Sequence, residues 1–189
     1  HNFYKHQAHT SIEAAADAAL AMACDRDAPT NVFYALASVQ NDYTKLNKQQ
    51  RDEQQGKVRG RHKSGNDNTH SVKAFWLDLD VGAEQNKYAT QAEAALALKA
   101  FCKAMSLPRP YVISSGGGMH VYWPLTQEID GSTWVDHAGI LKALTDSFGL
   151  RADPSRTADV ASILRPVGTY NWKTGNPRAV ECVLEGEVV

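Results

Sequence analysis

Val72-Lys73-Ala74-Phe75-Trp76-Leu77-Asp78-Leu79-Asp80-Val81 is the stretch on which the fold turns. Its aromatic, leucine and β-branched residues predict a strand. Side chains two apart in a strand share a face, so Asp78 and Asp80 are expected side by side among apolar neighbours. Carboxylates about 5–7 Å apart repel one another. At about 4 Å and an effective dielectric near 20 the repulsion is about 4 kcal/mol, and it falls with spacing. A divalent cation removes that penalty, and hard cations take oxygen ligands. The same pair also suits the polar face of an edge strand, or two ordinary salt bridges.

Downstream, Thr90-Gln91-Ala92-Glu93 forms a capping box. The helix it opens carries Ala94, Leu98, Phe101 and Met105 on one face, and Pro108 and Pro110 end it. Residues 111–114 and 120–125 predict two strands joined at a glycine turn. Ser132 or Thr133 is expected to cap a third helix, which runs to Phe148 with Gly149 as its left-handed terminus. Residues 153–161 look irregular, and 163–167 and 179–184 predict late strands. Upstream, Thr10 is expected to cap a helix reaching about Cys24, and residues 31–39 predict a strand. Alternating strands and helices around a hairpin indicate an α/β or α+β domain with a mixed sheet. No repeat or linker divides residues 1–189.

The chain has 189 residues and a formal charge of −1. A strongly basic protein is excluded, so a nucleic-acid partner needs a local patch. Residues 41–70 offer one. They form a polar insertion, almost free of apolar residues, with Lys45, Lys48, Arg51, Lys57, Arg59, Arg61 and Lys63. No apolar run approaches the roughly 20 residues of a membrane span. The polar N-terminus lacks the apolar region of a signal peptide. Cys24, Cys102 and Cys182 are too scattered for a zinc ribbon or a disulfide framework. They are expected to be buried free thiols in a reducing compartment.

Ser114-Ser115-Gly116-Gly117-Gly118-Met119-His120 lies between two predicted strands. A hairpin needs only two turn residues, and three glycines exceed that. Glycines let backbone N–H groups approach an anion, the serines add donors, and the His120 ring can donate to a phosphate oxygen. A flexible hairpin is the simpler alternative. Residues 149–173 add the carboxylates Asp153 and Asp159, then Arg165, Asn171 and Lys173, which suit oxyanions. Caps, turns and surface charges would explain that segment equally well by itself. Taken together, the three groups are the parts of a metal-dependent nucleotidyl-transfer site.

The ordered trio Phe75-Trp76-Leu77-Asp78-Leu79-Asp80, Ser114 to Trp123, and Asp153 with Leu164-Arg165-Pro166-Val167-Gly168-Thr169-Tyr170-Asn171-Trp172-Lys173 resembles the archaeo-eukaryotic primase superfamily. Its closest flavour is the primase–polymerase domain of phage and plasmid replication proteins. The resemblance implies an α+β fold, with an RRM-like catalytic sheet in a mixed-sheet arrangement and a smaller N-terminal α/β unit. It implies a nucleotidyltransferase that extends a 3′-hydroxyl on a single-stranded DNA template, using NTP or dNTP and Mg²⁺ or Mn²⁺. Asp78, Asp80 and Asp153 would be the catalytic metal ligands, with Asp159 competing for the third place. Ser114, Ser115, His120, Arg165, Asn171 and Lys173 would bind the nucleotide, and Arg59, Arg61 and Lys63 the template. Tyr122, Trp123 or Trp172 could stack on a base.

The cysteines offer no family zinc motif, and little chain follows Lys173 to form the family's extra helical domain. The resemblance therefore implies an excised catalytic core of a longer primase–helicase protein, in the cytoplasm of a bacterial or archaeal host. A metal-dependent nuclease would use the same carboxylates without a triphosphate pocket. A single-strand-binding replication module would bind DNA without needing Asp78, Asp80 or metal.

Overall fold

The computed structural model describes residues 7–25, 30–40 and 68–189. The predicted template residues Arg59, Arg61 and Lys63 lie outside them, as does most of the polar insertion. Its assigned end is corrected: Thr69 and His70 belong to β3 (Thr69–Leu79), which starts three residues earlier than expected. The strand's polar start is masked in the sequence because neighbours satisfy it. Ser71 Oγ lies 2.7 Å from Ser38 Oγ, and it donates to Glu128 Oε2 at 2.7 Å.

The first helix, α1 (Ile12–Ala23), is capped by Ser11 rather than Thr10, with Ser11 Oγ accepting from the Ala14 N–H. The strand expected at 31–39 is two short pieces, β1 (Tyr34–Ala35) and β2 (Ala37–Val39). After β3 comes α2 (Gln91–Ala104), capped by Thr90 as expected. Glu93 reaches back to the Ala89 N–H, one residue before the cap. The hairpin strands are β4 (Tyr111–Ser114) and β5 (Met119–Ile129). Helix α3 (Gly131–Phe148) is capped by Asp130, whose Oδ1 accepts from the N–H groups of Ser132 and Thr133. The two expected caps are thus the donors, and Gly149 ends the helix at φ +77°. Residues 154–157, expected to be irregular, form the short helix α4 (Pro154–Thr157), with Asp153 as its cap. Four short strands complete the chain: β6 (Ile163–Leu164), β7 (Tyr170–Asn171), β8 (Arg178–Ala179) and β9 (Glu181–Leu184).

The α+β class stands. A five-stranded sheet runs β2-β3-β5-β4-β9, and its ladders are antiparallel where a mixed sheet was expected. Strands joined by hairpins or returning along an edge pair this way. The parallel pairing among the described residues is an isolated bridge, Val81 to Tyr88. Two-stranded ribbons β1–β6 and β7–β8 stand apart from the sheet.

Strand periodicity divides the core. Leu77, Leu79, Val121 and Met119 pack with Ala94, Leu98 and Phe101 of α2. Val72 and Trp76 pack with Trp134, Ala138 and Val160. The Trp76 and Trp134 rings stack at 4.3 Å between centroids, and Trp134 Nε1 donates to Ala74 O at 2.8 Å. Trp134→Phe keeps an aromatic ring and orphans that carbonyl. We expect a loss of about 1–2 kcal/mol in urea unfolding; an unchanged midpoint would show that the bond contributes nothing.

All three cysteines are unpaired, but Cys24 and Cys182 are exposed and Cys102 is half-buried, which corrects the expectation of burial. Cys24 ends α1 and Cys182 sits on the edge strand β9. Among the described residues, no helix is long and apolar enough to cross a membrane.

Candidate functional site

The β3–β5 register places Asp78 directly opposite His120. Directly opposed residues share a sheet face. Asp80 lies one residue past the end of β3 and is exposed, whereas Asp78 is half-buried. The chain then returns to the sheet alongside: the Asp153 N–H donates to Asp78 O at 2.8 Å. One cleft of about 470 Å³ gathers Asp78, Asp80, Asp153, Ser115, His120, Arg165, Asn171 and Lys173. Asp78, Ser115, His120 and Asn171 lie on the sheet, its hairpin turn or β7; Asp80 and Lys173 follow directly after β3 and β7, and Asp153 and Arg165 reach the cleft from the chain between.

The turn from Ser115 to Gly118 is closed twice. Ser115 N–H donates to Gly118 O at 3.0 Å, and Gly118 N–H donates to Ser115 Oγ at 3.1 Å. Gly116 has φ +75°, in the left-handed region that glycine tolerates. Gly118 is needed for a different reason: a Cβ there would lie 2.4 Å from Leu79 O and 3.2 Å from Asp80 Cα. The glycine turn therefore packs directly on the backbone that carries the carboxylates.

The electrostatics follow from this crowding. Burial, then the charges of Asp80 and Asp153, push the Asp78 carboxyl from 3.8 up to about 7. His120 is 2% exposed, and its Nδ1 has no hydrogen-bond partner among the described residues. Burial, and then the Arg165 charge, lower its pKa to about 4, so it is neutral at pH 7. Arg165 lies over the Phe33 ring, 4.6 Å from its centroid, and contacts Asn31 Oδ1 at 3.3 and 3.4 Å.

The remaining predicted residues divide. Asn171 is fixed by its Nδ2 donating to Ser115 O at 3.0 Å, and its Oδ1 accepts from the Lys173 N–H at 3.0 Å. The Lys173 side chain is exposed on the cleft. Ser114 does not join them: its hydroxyl meets Gln91 Nε2 at 3.0 Å, because alternate strand residues face opposite ways. Asp159 is not part of the cleft lining, and its Oδ1 accepts from the Ala161 N–H in its own turn. Of the candidate stacking residues, none lines the cleft. Trp123 is buried, with Nε1 donating to Pro108 O, and the Tyr122 hydroxyl meets that of Tyr34 at 3.2 Å.

Sequence reasoning missed Phe33, Lys87, Arg156 and Arg178, all of which line the cleft. Lys87 Nζ lies 3.9 Å from Asp80 Oδ2, and Arg156 Nε lies 3.9 Å from Asp153 Oδ2. Lys87 returns to Asp80 through a loop closed by the Tyr88 N–H donating to Asp80 O. No local pattern announces such a return.

A divalent ion can be weighed against these groups. Among the described residues, no three His, Cys, Asp or Glu side chains stand as a ready ligand set. Asp153 commits Oδ1 to the Ser155 N–H and hydroxyl, at 2.8 and 2.7 Å. Asp78 and Asp80 nevertheless supply hard oxygen donors, both on the cleft. Mg²⁺ is commonly held by one or two carboxylates and completes its shell with water and phosphate oxygens. The pair fits that mode.

No protein-family model matches the chain, and no curated protein matches it. Among solved structures, the chain is similar to the AEP domain of the Cyanophage S-2L primase-polymerase, at 22% identity and TM-score 0.49. That match covers 67% of this chain and 60% of the cyanophage domain. It is also similar to the polymerase domain of Mycobacterium tuberculosis Ligase D, solved in complex with DNA, at 18% identity and TM-score 0.42. There it covers 64% of this chain and 50% of the other.

Proposed function

We propose that this cleft transfers nucleotides from NTP or dNTP to a 3′-hydroxyl on a single-stranded DNA template, as a primase–polymerase of DNA replication. The observation that carries the reading is the convergence of Asp78, Asp80 and Asp153 with the glycine turn, His120, Arg165 and Lys173 on one cleft. The family resemblance of the same residues in the sequence supports it.

Asp78 and Asp80 would hold Mg²⁺ or Mn²⁺, with Asp153 beside them. When bound, the ion supplies charge neutralisation at the phosphates and lowers the pKa of the attacking hydroxyl. Arg165 and Lys173 neutralise the triphosphate, Arg165 through a planar fork and Lys173 as a point charge. The Phe33 ring and Asn31 hold the Arg165 guanidinium in place before substrate arrives. Neutral His120 lines the cleft and would donate a ring N–H to a phosphate oxygen without adding charge there. The 3′-hydroxyl loses its proton to solvent and its oxygen attacks the α-phosphorus in line; the bond from that phosphorus to the bridging oxygen breaks, and pyrophosphate leaves toward Arg165 and Lys173. Residues 1–189 act as one catalytic domain in this reading. Arg59, Arg61 and Lys63 hold template phosphates, and a helicase domain in cis or in trans supplies single strands.

The test is incorporation of labelled nucleotides on a primed single-stranded template with Mg²⁺ or Mn²⁺. Metal-dependent extension is expected. Cleavage of the strand without incorporation would move the same carboxylates to a nuclease. DNA binding indifferent to metal, without either reaction, would leave a binding module.

A further inference from the structure

Two side chains of the β7–β8 ribbon hold consecutive carbonyls of the glycine turn. Asn171 Nδ2 donates to Ser115 O, and Arg178 Nη1 donates to Gly116 O, both at 3.0 Å. Arg178 Nη2 donates to Thr174 Oγ1 at 3.1 Å, so one guanidinium ties the ribbon's own turn to the glycine turn. The two are also in close packing. A Cβ on Gly116 would lie 2.8 Å from Arg178 Cβ and 2.9 Å from Asn171 Cβ.

This grip sets the direction of the intervening peptides. Among the described residues no peptide bond is cis, and across a trans peptide the N–H points opposite to the C=O. With the carbonyls of Ser115 and Gly116 drawn onto the ribbon, the N–H groups of Gly116 and Gly117 point away from it. Among the described residues neither donates a hydrogen bond, whereas the N–H groups on either side, of Ser115 and Gly118, are both used within the turn. Successive free N–H groups in a turn form a concavity that binds anions.

We infer that Arg178 is a positioning residue: by holding Gly116 O it orients the N–H groups of Gly116 and Gly117 for a phosphate oxygen of the substrate. The inference rests on the triphosphate-binding reading of the cleft. Its chemistry needs a fork that spans two acceptors, not merely a positive charge. Lysine supplies the charge as a single point and cannot span both.

The test uses the full chain and inorganic tripolyphosphate with Mg²⁺, measured by calorimetry, beside hydrogen exchange at the Ser115 and Gly118 amides. Arg178→Lys and Arg178→Ala are both expected to weaken binding about tenfold, the scale of one lost hydrogen bond to a charged group. Both should also speed exchange at those two amides. Thr174→Val leaves Arg178 and its charge intact and frees one end of the fork; a loss of about threefold is expected, on the scale of one neutral hydrogen bond. If Arg178→Lys binds like the wild type while Arg178→Ala is weakened, the charge acts directly and the positioning role is wrong. Wild-type affinity and exchange in both variants would also overturn it. Failure of the wild-type chain itself to bind tripolyphosphate would instead remove the reading of the cleft on which the inference stands.

Discussion

Asp78→Asn is expected to reduce primer extension at least about a thousandfold, since loss of metal-held charge stabilisation is worth several kcal/mol. The same change should make the protein more stable in mildly alkaline buffer. In the folded chain the Asp78 carboxyl is raised from 3.8 to about 7 by burial and by Asp80 and Asp153. Between those values the folded state holds a proton that the unfolded state has released. Stability therefore falls as pH rises from about 4 to about 7, and the loss persists above that range. About three pH units at 1.36 kcal/mol each set a ceiling of about 4 kcal/mol. Asparagine carries no such penalty. Urea unfolding at pH 5 and pH 8, with and without Mg²⁺, measures it. The wild type should lose stability relative to the variant between the two pH values, and Mg²⁺ at pH 8 should restore part of it to the wild type alone. Parallel pH dependences would refute the burial and repulsion argument. Retained extension would refute the site.

Gly118→Ala is expected to damage both stability and activity, while Gly117→Ala leaves stability unchanged. The added methyl at 118 would meet Leu79 O at 2.4 Å and Asp80 Cα at 3.2 Å, and these atoms belong to backbone that cannot rotate away. At 117 the nearest atom is Asn171 Nδ2, at an ordinary 3.5 Å. Overpacking of this kind costs about 3 kcal/mol, and in a chain of this size that lowers the Tm by about 6–12 °C. Relief requires the glycine turn to move off the end of β3, which separates phosphate donors from carboxylates. A displacement of about 1 Å can cost about a hundredfold in rate. Thermal melting and primer extension of the two variants side by side decide the matter. If Gly118→Ala melts like Gly117→Ala and extends like the wild type, the two halves of the site are not coupled through this contact.

The parts of the fold that were legible in the sequence are those set by local pattern. The apolar run around Asp78 becomes the long strand β3, the Thr90 cap opens α2, and the glycine segment is a hairpin turn. Asp78, Asp80, Ser115 and His120 come together because they lie on that strand, on the residue directly after it, and on the hairpin. What escaped depends on partners distant in sequence. The start of β3 reads as polar until Ser38 and Glu128 are seen beside Ser71. Ser114 looks equivalent to Ser115 until strand alternation turns it to Gln91. Asp153 and Asp159 resemble each other in sequence, and they separate only in the fold, where the Asp153 N–H donates to Asp78 O and Asp153 alone of the two lines the cleft. The two-residue strands β6, β7 and β8 are too short to carry a period of any kind, so the ribbon that brings Arg178 to the glycine turn had no signal.

The site's two walls differ in mechanical character. One is a long interior strand of a five-stranded sheet, packed on both faces, which holds Asp78 and leads directly into Asp80. The other consists of ribbons only two residues wide, largely exposed, anchored through a few side chains such as Asn31, Asn171 and Arg178. Small, solvent-exposed units of this kind open at a fraction of the cost of unfolding the whole domain. An enzyme that must expel a charged product after every addition has use for such an arrangement. On the proposed reading, the stiff side would preserve the alignment of the reacting atoms, while the compliant side would loosen its grip on the leaving group and close again on the next substrate.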